Sequence, residues 1–338
     1  MTTAPGRRTG TALLAAAAAT ALALTGCSSS SDASSGSKLS LVAYSVPKPA
    51  YEALTQAFDG TDKGKGVSWA SSYGASGTQS AAVSNGQKAD YVAFSLEPDL
   101  TKLVPKFVDE NWKSGPTKGL VSKSVVVIAV RKGNPLHITG WNDLTKAGVK
   151  IVTPDPGSSG SAKWNILAAY SHVLAEGGTE AQAQDYLKAF FAHVVSKPAS
   201  GANATSTFLN GTGDVLISYE NEAIAARQKE QKLDYIVPAE SILIENPAAV
   251  TKSAPQAAKD FLAFVQSTDG QKIFASKGYR PALDGVTVGS VAGANDPANP
   301  FPAVAKLQTI ADLGGWSAVN KKYFDKETGI VTKIAAGG

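Results

Sequence analysis

The sequence predicts an α/β protein with open, twisted sheets. From Leu39 onward, short apolar runs alternate with helical patterns, the arrangement that builds such sheets. The run Val125-Val126-Val127-Ile128-Ala129-Val130 is apolar on both faces, as expected of a strand buried in a largely parallel sheet. With 43% apolar residues the chain can fill real cores, which excludes wholesale disorder. Its 338 residues suggest about two domains at roughly 100 to 200 residues each.

The first segment does not read as part of that fold. Arg7 and Arg8 precede an apolar run from Thr11 to Leu24, and Thr25 and Gly26 lead into Cys27. The run is shorter than the roughly 20 residues a membrane-spanning helix needs. A positive start, a short apolar run and small residues describe a secretory signal. Leu24-Thr25-Gly26-Cys27 resembles a bacterial lipobox, which implies cleavage before Cys27 and lipidation of its thiol. Cleavage would remove 26 of the 338 residues, leaving 312, with Arg7 and Arg8 the only charges lost, so 30 basic and 28 acidic side chains would remain. Residues 27–38 are Ser-rich without apolar periodicity and are expected to form a tether; ten such residues reach roughly 18 Å. That length would hold a folded body just clear of a membrane, with more than one acyl chain needed for stable anchoring.

Strands are expected at Leu39 to Tyr44, Val67 to Ser71, Tyr91 to Leu96, Ser124 to Val130, Val149 to Thr153 and Asp214 to Tyr219. Helices are expected at Pro49 to Phe58, Thr78 to Asn85, Ala162 to Glu176, Glu180 to His193, Asn221 to Gln231 and Ala254 to Gln266. Gly177-Gly178 stops one helix, and Thr179 with Gln182 makes a capping box for the next.

Composition removes several function classes. The net charge is +4 and Lys and Arg are scattered, whereas nucleic-acid binders gather them on one face. Cys27 is the only cysteine, so the folded body has no disulfide and no catalytic thiol. His137, His172 and His193 form no pair at ligand spacing, and neither a metal site nor a cofactor is expected.

Three segments share one design, a small-residue turn leading straight into a helix. They are Tyr73-Gly74-Ala75-Ser76-Gly77-Thr78-Gln79, Pro156-Gly157-Ser158-Ser159-Gly160-Ser161-Ala162 and Ser200-Gly201-Ala202-Asn203-Ala204-Thr205. Each puts unpaired backbone N–H groups and the positive end of a helix dipole at the turn. Any one of them could be simple helix capping. Gathered in one crevice, they would surround an anion with fixed donors. None is a Walker loop or a dinucleotide fingerprint.

Longer blocks carry a resemblance. Ser72 through Gln79, Arg131-Lys132-Gly133-Asn134-Pro135, Trp141-Asn142-Asp143-Leu144 and Thr153-Pro154-Asp155-Pro156 are similar to the sulfate/thiosulfate-binding proteins of ABC importers. Ser158-Ser159-Gly160 through Lys163-Trp164-Asn165, Gly213 through Glu222, Gly278-Tyr279-Arg280-Pro281 and Gly314-Gly315-Trp316 continue the match in order. The resemblance implies a type II periplasmic-binding-protein fold, two α/β lobes with mixed sheets and a ligand cleft between them. It places lobe one at 39–121 plus 244–338 and lobe two at 122–243.

Carried over position by position, it implies sulfate contacts from Ser45, Ser76, Ser159, Gly160, Ser161 and Ala202, mostly through backbone N–H groups. Tyr219 stands where well-known sulfate binders have a Trp, Ser161 replaces a Gly, and Asn203 replaces an Arg. These departures bear on the donor set and on the preferred anion. The implied protein is not an enzyme. It is an exported monomer, lipid-anchored on the outer face of the bacterial cytoplasmic membrane, that passes sulfate or thiosulfate to permease subunits.

A fully ionised tetrahedral dianion only accepts hydrogen bonds, so neutral donors satisfy it. Monoprotonated phosphate brings an O–H whose burial without an acceptor costs roughly 1 to 3 kcal/mol. None of the residues implied as donors is a carboxylate; Asp155, Glu220 and Glu222 nearby read as capping or packing partners. Thiosulfate, molybdate and phosphate are the alternative ligands. From another class, a serine hydrolase would need Ser76 or Ser159 in a nucleophile elbow with a histidine in reach, and neither serine sits in G-x-S-x-G.

Overall fold

The computed structural model describes residues 37–336. The signal segment, Cys27 and most of the tether lie outside the described residues. Three β-to-α units open the fold: β1 (Lys38–Tyr44) with α1 (Lys48–Asp59), β2 (Ser68–Gly74) with α2 (Ser76–Ser84), and β3 (Tyr91–Ala93) with α3 (Glu97–Thr101). The long β4 (Leu120–Arg131) crosses into a second set. This comprises β5 (Ile151–Val152), α4 (Gly160–Ala175), α5 (Glu180–Ala192), β6 (Val194–Ser196), α6 (Gly201–Leu209), β7 (Val215–Tyr219), α7 (Glu220–Gln228) and β8 (Leu233–Ile236). The equally long β9 (Glu240–Val250) leads back, followed by α8 (Gln256–Gln266), α9 (Thr268–Ser276), β10 (Lys306–Gln308), α10 (Gly315–Val319) and α11 (Ile330–Ala336).

The strand order is β2-β1-β3-β9-β4-β7-β5-β6, with β10 paired to β9 and β8 to β4. Strands β4 and β9 join the two halves. Leu120 to Val125 pair antiparallel with Leu243 to Pro247, while Val126 to Arg131 pair with β7 and β8. Beyond that stretch, β9 meets β3 through Ala248 to Val250.

The Val125–Val130 run is buried on both faces as expected, but the reason differs from the expected parallel sheet. Val126, Ile128 and Val130 enter one core with α4, while Val125, Val127 and Ala129 enter another with α6 and α7. All of its sheet neighbours are antiparallel. Helices cover both sides, and it is coverage rather than strand direction that removes the polar alternation. Burying such side chains contributes about 1.5 to 3 kcal/mol each.

Local chemistry sets the helix ends. Thr179 and Gln182 form the expected capping box, with Gln182 N–H donating to Thr179 Oγ1 at 3.3 Å and Thr179 N–H to Gln182 Oε1 at 2.8 Å. Ser267 caps α9 by accepting from Gly270 N–H at 3.3 Å. Sequence reading passed over β9, whose Glu245-Asn246-Pro247 stretch looks like a loop. Here Pro247 needs no donor of its own, and its carbonyl accepts from Phe94 N–H at 3.1 Å.

The closing stretch, grouped with lobe one in the sequence division, packs its side chains on α4 and α5. Trp316 meets Trp164 edge-on with ring centres 4.9 Å apart, Tyr323 meets Tyr170 at 5.1 Å, and Lys322 pairs with Glu180.

Candidate functional site

The three small-residue turns meet. The β2–α2, β5–α4 and β6–α6 turns, with the turn after β1, meet around a space too tight for a water-sized sphere. Ser45, Ser76, Ser159, Gly160 and Ser161, all among the contacts the resemblance implies, line it. Ala202 lies one position beyond Gly201 and lines a neighbouring cavity of about 450 Å³, which Ser45 also borders. Tyr219 does not line the space; its phenol sits behind it, 2.7 Å from Ser95 Oγ. Burial pushes that phenol well above the usual tyrosine range, so it is neutral and can donate.

The donors are backbone groups. Among the described residues, the N–H groups of Ser45, Ser76, Gly160, Ser161, Gly201 and Ala202 make no hydrogen bond within the protein. Helix geometry leaves five of them free, because the first turn of α2, α4 and α6 has no preceding carbonyls to bond, while Ser45 lies in the turn after β1. Ser159 is different: its N–H is taken by Asp155 O at 2.9 Å, and its hydroxyl lies 2.9 Å from Ser161 Oγ. Ser76 is engaged through its hydroxyl, which donates to Asp99 Oδ2 at 2.7 Å and accepts from Ser95 N–H at 3.0 Å. That pairing locks the turn and leaves the Ser76 N–H to face inward. Asn203 N–H is spent on capping, bonded to Ser200 Oγ at 3.2 Å.

Two glycines let the turns approach. A Cβ on Gly160 would stand 2.6 Å from Ser95 Cβ and 2.7 Å from Ser95 Oγ. One on Gly201 would stand 2.6 Å from Ser161 Oγ and 2.9 Å from Val46 Cγ2. Both distances are below van der Waals contact, so only a hydrogen fits. The two sides are stitched where they touch: Gly77 N–H donates to Ser158 O at 3.3 Å, and Ser95 O accepts from Trp164 Nε1 at 3.0 Å and Asn246 Nδ2 at 3.1 Å.

No side chain lining the space carries a formal charge. The nearby carboxylates take separate roles. Asp155 folds its turn, accepting from Gly157 N–H at 2.8 Å. Glu220 is buried in a bidentate pair with Arg280, at 2.7 and 3.0 Å. Glu222 is buried too, but has only neutral partners, Thr205 Oγ1 at 2.9 Å and Ser218 Oγ at 2.8 Å. Burial pushes its carboxyl up to about 7, against the pull of those two hydroxyls. It stands directly behind the third turn, where a Cβ on Gly201 would be 3.2 Å from its Oε2.

The histidines lie elsewhere. His172 Nδ1 is 2.7 Å from Ala169 O, between the rings of Trp141 and Tyr186, and His193 Nδ1 is 2.8 Å from Val149 O. Sequence reading missed Ser95 in the lining and the position of Glu222, and it placed Ser200 and Gly201 in the third turn without naming them as contacts. Ser95 ends an ordinary apolar run, and nothing local marks it.

A set of neutral donors on helix N-termini, with no cation among them, suits a small, fully ionised anion. Comparisons with known proteins agree in kind. The family described as bacterial extracellular solute-binding protein matches residues 39–280. The chain is similar to a sulfate-binding protein of Synechococcus elongatus, at 36% identity over 96% of this chain and 95% of that one. It is 30% identical to a thiosulfate-binding protein of Pseudomonas aeruginosa, over 84% of this chain and 88% of that one. Among solved structures, the sulfate-binding protein SubI from Mycobacterium tuberculosis superposes with a TM-score of 0.79 at 43% identity, covering 86% of this chain and all of that one. The periplasmic binding protein AfuA from Actinobacillus pleuropneumoniae shares the fold, with a TM-score of 0.64 at 18% identity. The architecture is the two-lobe, type II periplasmic-binding-protein fold.

Proposed function

Because the chain belongs to the sulfate/thiosulfate-binding group of bacterial extracellular solute-binding proteins, we propose that it captures sulfate in the space between its three turns and delivers it to an ABC importer. One observation carries the reading: six unpaired backbone N–H groups lie on or beside a space that no charged side chain lines. Each hydrogen bond to an ionised acceptor contributes about 1.5 to 3 kcal/mol. Sulfate offers only acceptors and so uses every one. At the present atom positions no water-sized sphere fits among the donors. In this reading the lobes part and reclose around the ion. A ligand held by both lobes stabilises the closed form by its differential affinity, and that form is the one a permease would recognise.

Ser45, Ser76, Gly160, Ser161 and Gly201 act through backbone N–H groups, Ser159 through its hydroxyl, and Tyr219 by fixing Ser95. Ala202 adds an N–H from the edge. Lipidation at Cys27 would hold the protein beside its permease and raise its effective concentration there. Thiosulfate, with sulfur in place of one oxygen, is the second reading, supported by the 30% identity to thiosulfate-binding relatives. Isothermal titration with sulfate, thiosulfate, molybdate and phosphate tests the proposal. Sulfate or thiosulfate should bind about five- to 150-fold more tightly than phosphate; phosphate binding without sulfate binding would refute it.

A further inference from the structure

The anion space has a second, outer neighbour. A groove of about 920 Å³ open to water runs from the surface to the edges of the first two turns, sharing Ser159 and Gly160 with the inner space. Lys102 just after α3, Lys163 of α4 and Lys326 line it, together with Asp99. Lys102 is paired with Asp99 at 3.0 Å. Among the described residues, neither Lys163 nor Lys326 has a carboxylate within salt-bridge distance.

Lys163 is the unusual member. Its ammonium is half-buried, donates to the neutral Asn320 Oδ1 at 3.2 Å and lies 4.8 Å from the centre of the Phe324 ring. It stands one turn into α4, where the helix dipole disfavours a cation. Burial penalises the positive charge there, and the Asp99 carboxylate and the Phe324 ring offset that penalty only in part. An anion approaching the α4 N-terminus gains from both the charge and the dipole.

The opposite approach is less suited. The 450 Å³ cavity beside the third turn also carries lysines, Lys48, Lys229 and Lys277, but the Glu222 carboxyl is in its wall. An ionised Glu222 repels a dianion on that path. On the other side, Asp99 is spent on Lys102 and the Ser76 hydroxyl, and Asp325 on the backbone of Glu327 and Thr328.

We propose that the lysine groove is the portal of the binding site, an outer station where a tetrahedral dianion is held by Lys163, Lys102 and Lys326 before it passes to the backbone donors. The inference rests on the anion-capture reading and adds a path and a rate to it. Charge at the portal speeds association without placing a cation in the closed site.

Stopped-flow tryptophan fluorescence with sodium sulfate tests this on the purified protein at low and high NaCl. The set Lys102→Gln, Lys163→Gln, Lys326→Gln is compared with Lys48→Gln, Lys229→Gln, Lys277→Gln, which removes the same total charge from the other approach. At low salt the first set should slow association about tenfold and the second less than about twofold. Dissociation should be unchanged, and the difference should vanish at high salt. Lys163→Gln alone, which leaves the Lys102–Asp99 pair intact, should account for about threefold or more. Equal losses in both sets, no loss in the first, or an effect confined to dissociation would overturn the portal while leaving anion capture standing. Failure of the unaltered protein to bind sulfate at equilibrium would overturn both.

Discussion

Glu222 makes sulfate affinity depend on pH, in a direction and by an amount the structure sets. Its carboxyl is buried directly behind the third turn, with two hydroxyls as partners. The phenols of Tyr44, Tyr219 and Tyr279 feel its charge, and Lys48, Lys229 and Lys277 line the cavity it shares. A carboxylate and a dianion so close in a dry site repel strongly, so the bound form takes Glu222 neutral. In the free protein the carboxyl titrates at about 7. It is then about nine-tenths protonated at pH 6 and about one-tenth at pH 8, so affinity should fall about tenfold between them, or about 1.4 kcal/mol.

The assay is isothermal titration from pH 6 to 8.5, in buffers of different ionisation enthalpy, so that protons taken up on binding are counted directly. The unaltered protein should take up close to one proton per sulfate at pH 8. Glu222→Gln should take up none and hold its affinity across the range. A flat affinity in the unaltered protein, or the same slope in Glu222→Gln, would refute the reasoning.

The same shift predicts a stability effect. The folded value of about 7 lies above the ordinary value of 4.5. The contribution of Glu222 is therefore full below pH 4.5 and lost as pH rises through 7. Glu222→Gln should match the unaltered protein in Tm at pH 4.5 and exceed it at pH 8, by up to about 3 kcal/mol. Ser159→Asp puts a carboxylate against the dianion and should abolish binding by titration calorimetry, with circular dichroism unchanged. Gly160→Ala keeps the donor N–H but drives a methyl into Ser95 at 2.6 Å. It should weaken sulfate affinity by tenfold or more with little change in chemical denaturation. Arg280→Ala strands Glu220 as an unpaired buried carboxylate and should cost about 3 to 5 kcal/mol by urea unfolding.

Much of the site was legible because its signals are local. Three small-residue turns before helices can be read from neighbours in the chain, and so can the Thr179–Gln182 capping box. What escaped depends on distance. Ser95 matters because its carbonyl meets Trp164 and Asn246, residues 69 and 151 positions away. Glu222 looks like an ordinary first-turn acid on α7 until the fold sets it behind Gly201. Tyr219, aligned with an anion-contacting Trp, sits one layer back, with its phenol 2.7 Å from Ser95 Oγ. The direction of the β4 pairing also escaped, since apolar faces record coverage and not whether a neighbour runs parallel. Ser159 shows the limit of carrying residues over by position: its N–H is already bonded inside the turn, and only its hydroxyl is left.

The pairing of β3 with β9 has a consequence for the order in which the chain acquires its shape. Tyr91 lies opposite Val250, so the first sheet cannot close until about two hundred further residues of structure-forming chain, counted from β1, have been made. During vectorial synthesis β1, β2 and β3 can pair with one another, but the outer edge of β3 lacks its partner until β9 is made, and pairings so far apart in sequence form slowly. The two halves are therefore joined late, because β9 is also the strand that pairs with β4.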